Sequence, residues 1–290
     1  MQQERRHTVI YGPRIRKVWE QKVTMMKKFE RRRILYAVLL CLAVCMLITA
    51  AGCGKPKNIP VFTYEKNDDG TVVITGLTDK GKADSKLTIP AVLDGGNVTV
   101  IGSEAFRDNY YVSEVVFEEG VTGIAENAFL NCTSLEKIIF PQSLETVGTH
   151  AVTNTKWEKD QLEKSSEIVV NNILIAVKPD VTEYVVPENV KQIASGVFYL
   201  NTELTKVELN SGLETIGNYA FSGCTALTKI ELPEGVKEIG YGAFSGCTRL
   251  DISVNPTVEQ IGQDAFLKVE HITYHGSLSG SPWGAEKMND

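Results

Sequence analysis

Six segments of this chain, IGSEAF, IAENAF, IASGVF, IGNYAF, IGYGAF and IGQDAF, place Phe106, Phe129, Phe198, Phe221, Phe244 and Phe266 in one register. The steps between them are 23, 69, 23, 23 and 22 residues, and 69 is three times 23. A period of this length means a stack of similar coils, none of which can bury its apolar side alone. The chain is therefore predicted to be an α/β repeat, a solenoid of about 23-residue coils whose six phenylalanines form the core of the repeat.

Residues 216–238, IGNYAFSGCTALTKIELPEGVKE, serve as the representative unit. Ile216, Ala220, Phe221, Leu227, Ile230, Leu232 and Val236 recur at fixed places and should point inward. The IELP part alternates at period two and predicts a short strand, while the piece around Ala220 and Phe221 has room for about one helical turn. Gly217, with Gly102, Gly148, Gly240 and Gly262 at the same place, is expected to let the chain turn tightly, although Ala125 and Ala194 also stand there. Cys132, Cys224 and Cys247 each fall three residues after a repeat phenylalanine, where Asn109 and Asn201 stand in sister coils. That pattern reads as a buried ladder that fills space or satisfies backbone groups at a bend. A disulfide between Cys224 and Cys247 is the alternative.

Ahead of the coils, VFTYEKNDDGTVVITGL alternates apolar and polar residues around Asp69 and Gly70, a dipeptide suited to a two-residue hairpin turn. A second such turn is expected at Gly95 and Gly96. Residues 61–96 are thus expected to form a β-hairpin-rich N-terminal cap, with the solenoid over 97–275. The middle is irregular. Val152 stands where the aromatic is due, and Phe198 follows it at twice the repeat period, so the stretch 153–180 preserves the phase. Within it, EIVVNNILIAVKP predicts a hairpin insertion turning at Asn171 and Asn172. Loops projecting from one face of a solenoid often carry its binding function, and a degenerate coil without a separate role is the alternative.

The pattern Ile-Gly-x-x-Ala-Phe, then Cys or Asn, then Leu-x-x-Ile-x-Leu-Pro-x-x-Val, resembles the BspA-type, or Treponema pallidum type, leucine-rich repeat of bacterial surface proteins. The likeness covers about 98–275, is most specific through 101–141 and 193–250, and fails locally at 153–180. The final HGSLSGSPWGAEK, with Trp283, resembles the closing segment of that family, here 276–290. The resemblance implies a curved solenoid with a strand-lined concave face, exposed at a surface and associated with adhesion to host proteins or other cells. It names no ligand.

Compartment rests on one segment. The stretch 34–52 is apolar and carries no charge, is preceded by Lys27, Lys28, Arg31, Arg32 and Arg33, and is followed at once by Cys53. Basic flank, apolar run and small residues before a cysteine build an export signal. Its end, LITAAGC, resembles the lipobox of bacterial lipoproteins, although Ala50 stands where leucine is commoner. The resemblance implies cleavage before Cys53, lipid attachment to its sulfur, a signal segment at 26–52 and a tether at 53–60. An uncut single-pass anchor is the alternative, since an apolar run of this length can span a bilayer. A chain starting at Met25 or Met26 would read as an ordinary export sequence, which makes 1–25 a non-native upstream extension or else a short cytoplasmic tail.

Beyond residue 52 the chain carries 19 Lys and Arg against 33 Asp and Glu, net −14. Nucleic acid binding needs a basic surface, which this balance does not supply. The acidity also disfavours loose adsorption to anionic membranes, so membrane association is expected through the lipid anchor. The stretch 53–290 is long enough to bury a sizeable core.

Catalysis would need convergent groups. Of His7, His150, His271 and His275 only the last two are near each other, in HITYH. Two ligands fall short of a closed zinc site, and no metal or cofactor is expected. Asn67, Asp68, Asp69 and Gly70 lack the alternating ligands and closing glutamate of a calcium loop and suit a hairpin turn better. Phosphate-loop, nucleophile-elbow and HExxH sequences are missing too.

Binding is then sought on exposed strand positions. Two ladders are predicted on the concave face, the first through Glu114, Lys137, Glu183, Lys206 and Lys229, the second through Val116, Ile139, Val185, Glu208 and Glu231. The charged rungs suggest a solvated sheet laced with ion pairs. Val116, Ile139 and Val185 suggest an apolar contact patch continuous with Tyr110, Tyr111 and the hairpin insertion. Ordinary β-branched packing on a sheet surface is the alternative. The expectation is a non-catalytic lipoprotein facing outward from a bacterial envelope, its solenoid binding an extracellular protein or glycan. The alternative is a structural envelope component that scaffolds neighbouring proteins or wall polymer. A two-lobed solute receptor is disfavoured by the 23-residue period.

Overall fold

The computed structural model describes residues 61–274, 276–279 and 283–289, all within one compact unit, Ile59–Asp290. The extension 1–25, the signal segment 26–52, the tether 53–60 with Cys53, and His275 lie outside the described residues.

A regular coil contributes two strand segments, the second of which shrinks to a single bridge at Lys229. The first is the short one that ends on the repeat isoleucine or valine. Gly123–Ile124 and Thr146–Val147 extend a sheet that starts with the hairpin Phe62–Lys66 and Val72–Leu77 and passes through Gly96–Ile101. In the second half the same role falls to Ile173–Val177, Gln192–Ile193, Thr215–Ile216, Glu238–Ile239 and Gln260–Ile261, all parallel. The second segment is the alternating one. Lys86–Ile89, Glu114–Phe117 and Lys137–Ile139 make one sheet, Glu183–Val185 pairs Lys206–Glu208, and Asp251–Val254 pairs His271–Tyr274, which pairs Lys287–Asn289. Alternation buries Val115, Ile138, Tyr184, Val207 and Ile252 and turns their neighbours outward, as a pleated strand requires.

Between the segments the chain bends through successive turns, such as Ala220 N–H to the Gly217 carbonyl and Cys224 N–H to the Phe221 carbonyl. Bends also bond to one another: Tyr219, Phe221 and Gly223 donate to the carbonyls of Tyr241, Ala243 and Ser245 at 2.9, 2.8 and 2.7 Å. Residues two before and two after the phenylalanine take left-handed torsions, for example Asn127 and Asn131 at φ 57° and 61° and Asp264 and Lys268 at φ 57° and 65°. The glycine after the isoleucine, expected to make the tight turn, is outside that region at Gly240 and Gly262. Its reason is close approach. A Cβ on Gly240 would lie 2.6 Å from the Asn218 nitrogen, and one on Gly262 would lie 2.4 Å from that of Tyr241.

Inside the bends the phenylalanines stack. Ring centroids are 4.9 Å apart for Phe106 and Phe129, then 5.0, 5.2 and 5.6 Å along Phe198, Phe221, Phe244 and Phe266. Cys132, Cys224 and Cys247 are free and buried, so the disulfide alternative falls. Their thiols donate to the carbonyls of Phe106, Phe198 and Phe221 at 3.0, 3.1 and 3.1 Å. Asn201 instead donates through Nδ2 to the Val181 carbonyl at 2.8 Å.

Turn positions partly shift from expectation. Asn171 and Asn172 make the expected two-residue turn, at φ 48° and 65° between the paired Val170 and Ile173. The second turn sits one residue earlier than expected, on Asp94 and Gly95, because Leu93 pairs with Gly96. Around Asp69 the loop is longer, 67–71, and closes on the pair Lys66 and Val72. Asp69 Oδ1 holds it by accepting from the Thr71 N–H and hydroxyl at 2.9 and 2.7 Å.

The irregular stretch is not a hairpin projecting from a finished solenoid. A helix, Lys156–Lys164, occupies the place of one coil's alternating strand, with Trp157 buried and packed edge-on to Phe140 at 5.4 Å. Thr155 caps it, accepting from the Glu158 N–H at 3.0 Å. The hairpin that follows is built into the wall, since Leu174 pairs in parallel with Ile193. The step from Val147 to Leu174 is longer than the repeat period, and the step from Leu174 to Ile193 is shorter by the same amount, so excess and deficit cancel. The path from Leu174 to Tyr184 is also shorter than the equivalent path from Ile216 to Ile230 in a regular coil. That coil therefore has no full bend, and the apolar core divides there into two clusters.

Candidate functional site

The alternating strands present their outward side chains in rows. Glu114 sits between Lys86 and Lys137, with nitrogen–oxygen distances of 3.0 and 2.8 Å. The hydrogen bonds from Lys137 and then Lys86 hold its carboxyl below the usual glutamate range. The neighbouring row is Thr88, Val116 and Ile139, with Ile139 43 % exposed and Val116 half-buried. Tyr110 and Tyr111, 55 % and 73 % exposed, precede the strand that carries Val116.

Both predicted ladders break between the rung of Lys137 and Ile139 and that of Glu183 and Val185. Lys137 and Ile139 belong to one sheet and Glu183 and Val185 to another, because the helix Lys156–Lys164 takes the intervening rung. Val185, exposed, lies beside Glu208 and not beside Ile139, so the apolar patch does not run through it. In the second group Lys206 and Lys229 face each other across a bridge, and each is paired within its own coil, to Glu208 and Glu231. A depression of about 400 Å³ lies there, ringed by Lys229, Glu231, Asp251, Ser253 and Asn255.

Several rungs escape a reading by period. Lys86 is on the cap strand and stands further ahead of Glu114 than one period, although the alternation of KLTI marks that strand. Asp251 and His271 extend the first ladder beyond Lys229 at spacings shorter than the period. His271 approaches Glu270 at 3.8 Å. Among the described residues no three of His, Cys, Asp and Glu gather closely enough to hold a metal ion, and no helix is long and apolar enough to cross a membrane.

A second feature lies at the missing bend. A groove of about 660 Å³ opens between the bend 148–154 and the bend 195–201, over Ile175, Ala176 and Val177 and beside Leu162 of the helix. His150 and Tyr199 stand edge to face across it with ring centroids 5.9 Å apart. Tyr219 and Tyr241 continue the aromatic row at 6.4 and 5.2 Å.

The profile of the BspA type leucine rich repeat region matches this chain in six copies, over residues 99–199 and 176–279. The chain belongs to that family. Solved structures with a similar course include a leucine rich repeat protein of T. pallidum, 24 % identical, covering 74 % of this chain and 89 % of its own, with a TM-score of 0.37. Another is a leucine-rich repeat protein from Bacteroides ovatus, 18 % identical over 80 % of this chain and 98 % of its own, TM-score 0.32. A leucine rich cell surface protein from Faecalibacterium prausnitzii is 17 % identical over 81 % and 99 %, TM-score 0.34. No curated protein sequence matches the chain.

Proposed function

We propose that this BspA-type protein is a non-catalytic lipoprotein held at a bacterial cell surface, whose solenoid binds an extracellular protein or glycan in adhesion. The observation that carries the reading is the pairing of Val116 with Ile139 on an outward strand face, flanked by the Lys86, Glu114 and Lys137 ion pairs, with the exposed Tyr110 and Tyr111 on the segment that leads into the strand. An outward-facing apolar pair flanked by charge is the build of a recognition patch. The lipid link rests on LITAAGC and Cys53.

The test is binding of the purified protein to an array of matrix proteins, cell-surface proteins and glycans, against the double variant Val116→Glu with Ile139→Glu and, separately, Val185→Glu. Specific binding that the double variant loses supports the reading. A folded protein that binds no member of the array and co-purifies only with envelope partners would point to a scaffolding component instead.

A further inference from the structure

Wherever two bends are neighbours, three N–H groups of one reach three carbonyls of the next. Gly196, Phe198 and Leu200 donate to Asn218, Ala220 and Ser222 at 2.9, 2.8 and 2.8 Å. The end of the array keeps the rule with a substitute: Phe266 and Lys268 donate to Trp283 and Gly284 at 3.0 and 3.3 Å. At the missing bend the rule fails. Asn154, the third donor of the bend 148–154, is met by the Glu158 carboxylate at 2.7 Å. The N–H groups of His150 and Val152 have no hydrogen-bond partner among the described residues, and neither do the carbonyls of Ser195, Val197 and Tyr199 on the facing bend. Val152 is only 3 % exposed, and a buried main-chain donor without a partner is costly.

The two walls touch at one end, where Ser195 N–H meets the Val147 carbonyl at 3.2 Å and a Cβ on Gly196 would come within 2.5 Å of Thr149 Cγ2. Beyond that contact the groove is open and apolar at its base. The aromatic that six other bends supply is absent as well, because Val152 stands in its register position and the next coil has no bend. One wall thus offers donors and the other acceptors, above a floor that includes Ile175, Ala176 and Val177.

We propose that this groove binds a short linear peptide of a partner protein, extended, with its backbone standing in for the missing bend between the donors of His150 and Val152 and the carbonyls of Ser195, Val197 and Tyr199. An extended peptide carries N–H groups and carbonyls on its two edges at alternate residues, which is the spacing of both walls. A sugar or an acyl chain does not present that pattern. The inference rests on the reading of the solenoid as a binding protein and names the partner's chemistry at a second place on it.

The probe is a capped peptide with the chain's own bend sequence, residues 217–223, GNYAFSG, titrated into the full-length protein in detergent. Saturable binding is expected. Methylating the peptide's alternate backbone nitrogens should weaken it about tenfold. Val197→Trp and, independently, Thr153→Trp should each fill the groove and abolish binding while the protein remains folded. Hydrogen exchange at the Val152 amide should slow on peptide addition, and that at Phe129 should not change. No saturable binding, equal affinity for the methylated peptide, or an unchanged Val152 amide would overturn the proposal. Peptide binding that persists while the Val116→Glu, Ile139→Glu double variant binds the array as wild type does would sink the strand-face reading alone. Array binding without peptide binding would sink this one alone.

Discussion

The thiol of Cys224 donates to the carbonyl of Phe198, 3.1 Å away, so a side chain of one coil closes the bend of the coil before it. Cys247 repeats the bond to Phe221 and Cys132 to Phe106. Burial pushes the Cys224 thiol up to about 12 and that of Cys132 to about 11. Both therefore stay protonated at pH 8. Residue-resolved mass spectrometry after alkylation at pH 8 should show Cys132, Cys224 and Cys247 unlabelled in folded protein and labelled in step with denaturant unfolding. Rapid labelling of any of the three in the folded state would contradict their place in the ladder.

Phe221 is fully buried between two stacked neighbours. Phe221→Ala should cost about 3 to 5 kcal/mol, because removing the ring leaves a void that the flanking coils close only in part. Denaturant unfolding measures it, and a neutral result would refute the stacked core.

Tyr184 packs against Phe198 at 5.3 Å, and its buried hydroxyl has no hydrogen-bond partner among the described residues. Tyr184→Phe removes that unpaired group and keeps the ring. Stability should rise by about 1 kcal/mol. A loss of similar size would mean that the hydroxyl has a partner.

Glu114 is ionised more readily in the folded chain than in the unfolded one, chiefly through Lys137. Its contribution is therefore present above the unfolded pKa of about 4.3 and is lost as pH falls through the lower folded value. Melting curves across the acid range should show wild type falling more steeply than Glu114→Gln as pH drops below that range. Parallel curves would show that the Lys86, Glu114 and Lys137 row is fully screened.

A Cβ on Gly240 would lie within 2.7 Å of Gly217 C and of the Asn218 nitrogen. Gly240→Ala should then cost about 1 to 3 kcal/mol through forced separation of two coils. Thermal unfolding of the variant tests this, and an unchanged midpoint would show that the coils can spread freely.

The register of the stack was legible because the coils repeat their apolar positions, and that register pairs Glu114 with Lys137 and Val116 with Ile139 but not Lys86 with Glu114 or Ile139 with Val185. The break was not. Its excess and its deficit cancel, so Phe198 returns in phase and the missing bend leaves no trace in the spacing. The helix that interrupts the rows did leave a local signal, Thr155 followed three residues later by Glu158, which is the start of a capped helix. Left-handed bend positions were hidden by composition: Asn127 and Asp264 advertise them, but Leu200, Tyr219 and Lys268 adopt the same torsion because the inter-coil bonds demand it. The groove's unpaired groups are main-chain atoms, on which side-chain identity is silent.

The division of the apolar core at the missing bend bears on cooperativity. Coils in a stack transmit order to their neighbours through shared buried surface and through the bonds between bends. Where both are curtailed, between Val152 and Gly196, the coupling should be weakest, and the molecule is expected to unfold as two short arrays in series. Loss of order can then halt half-way, with one array molten and the other intact, and a ligand seated at the junction would act as the mortar that makes both halves melt together.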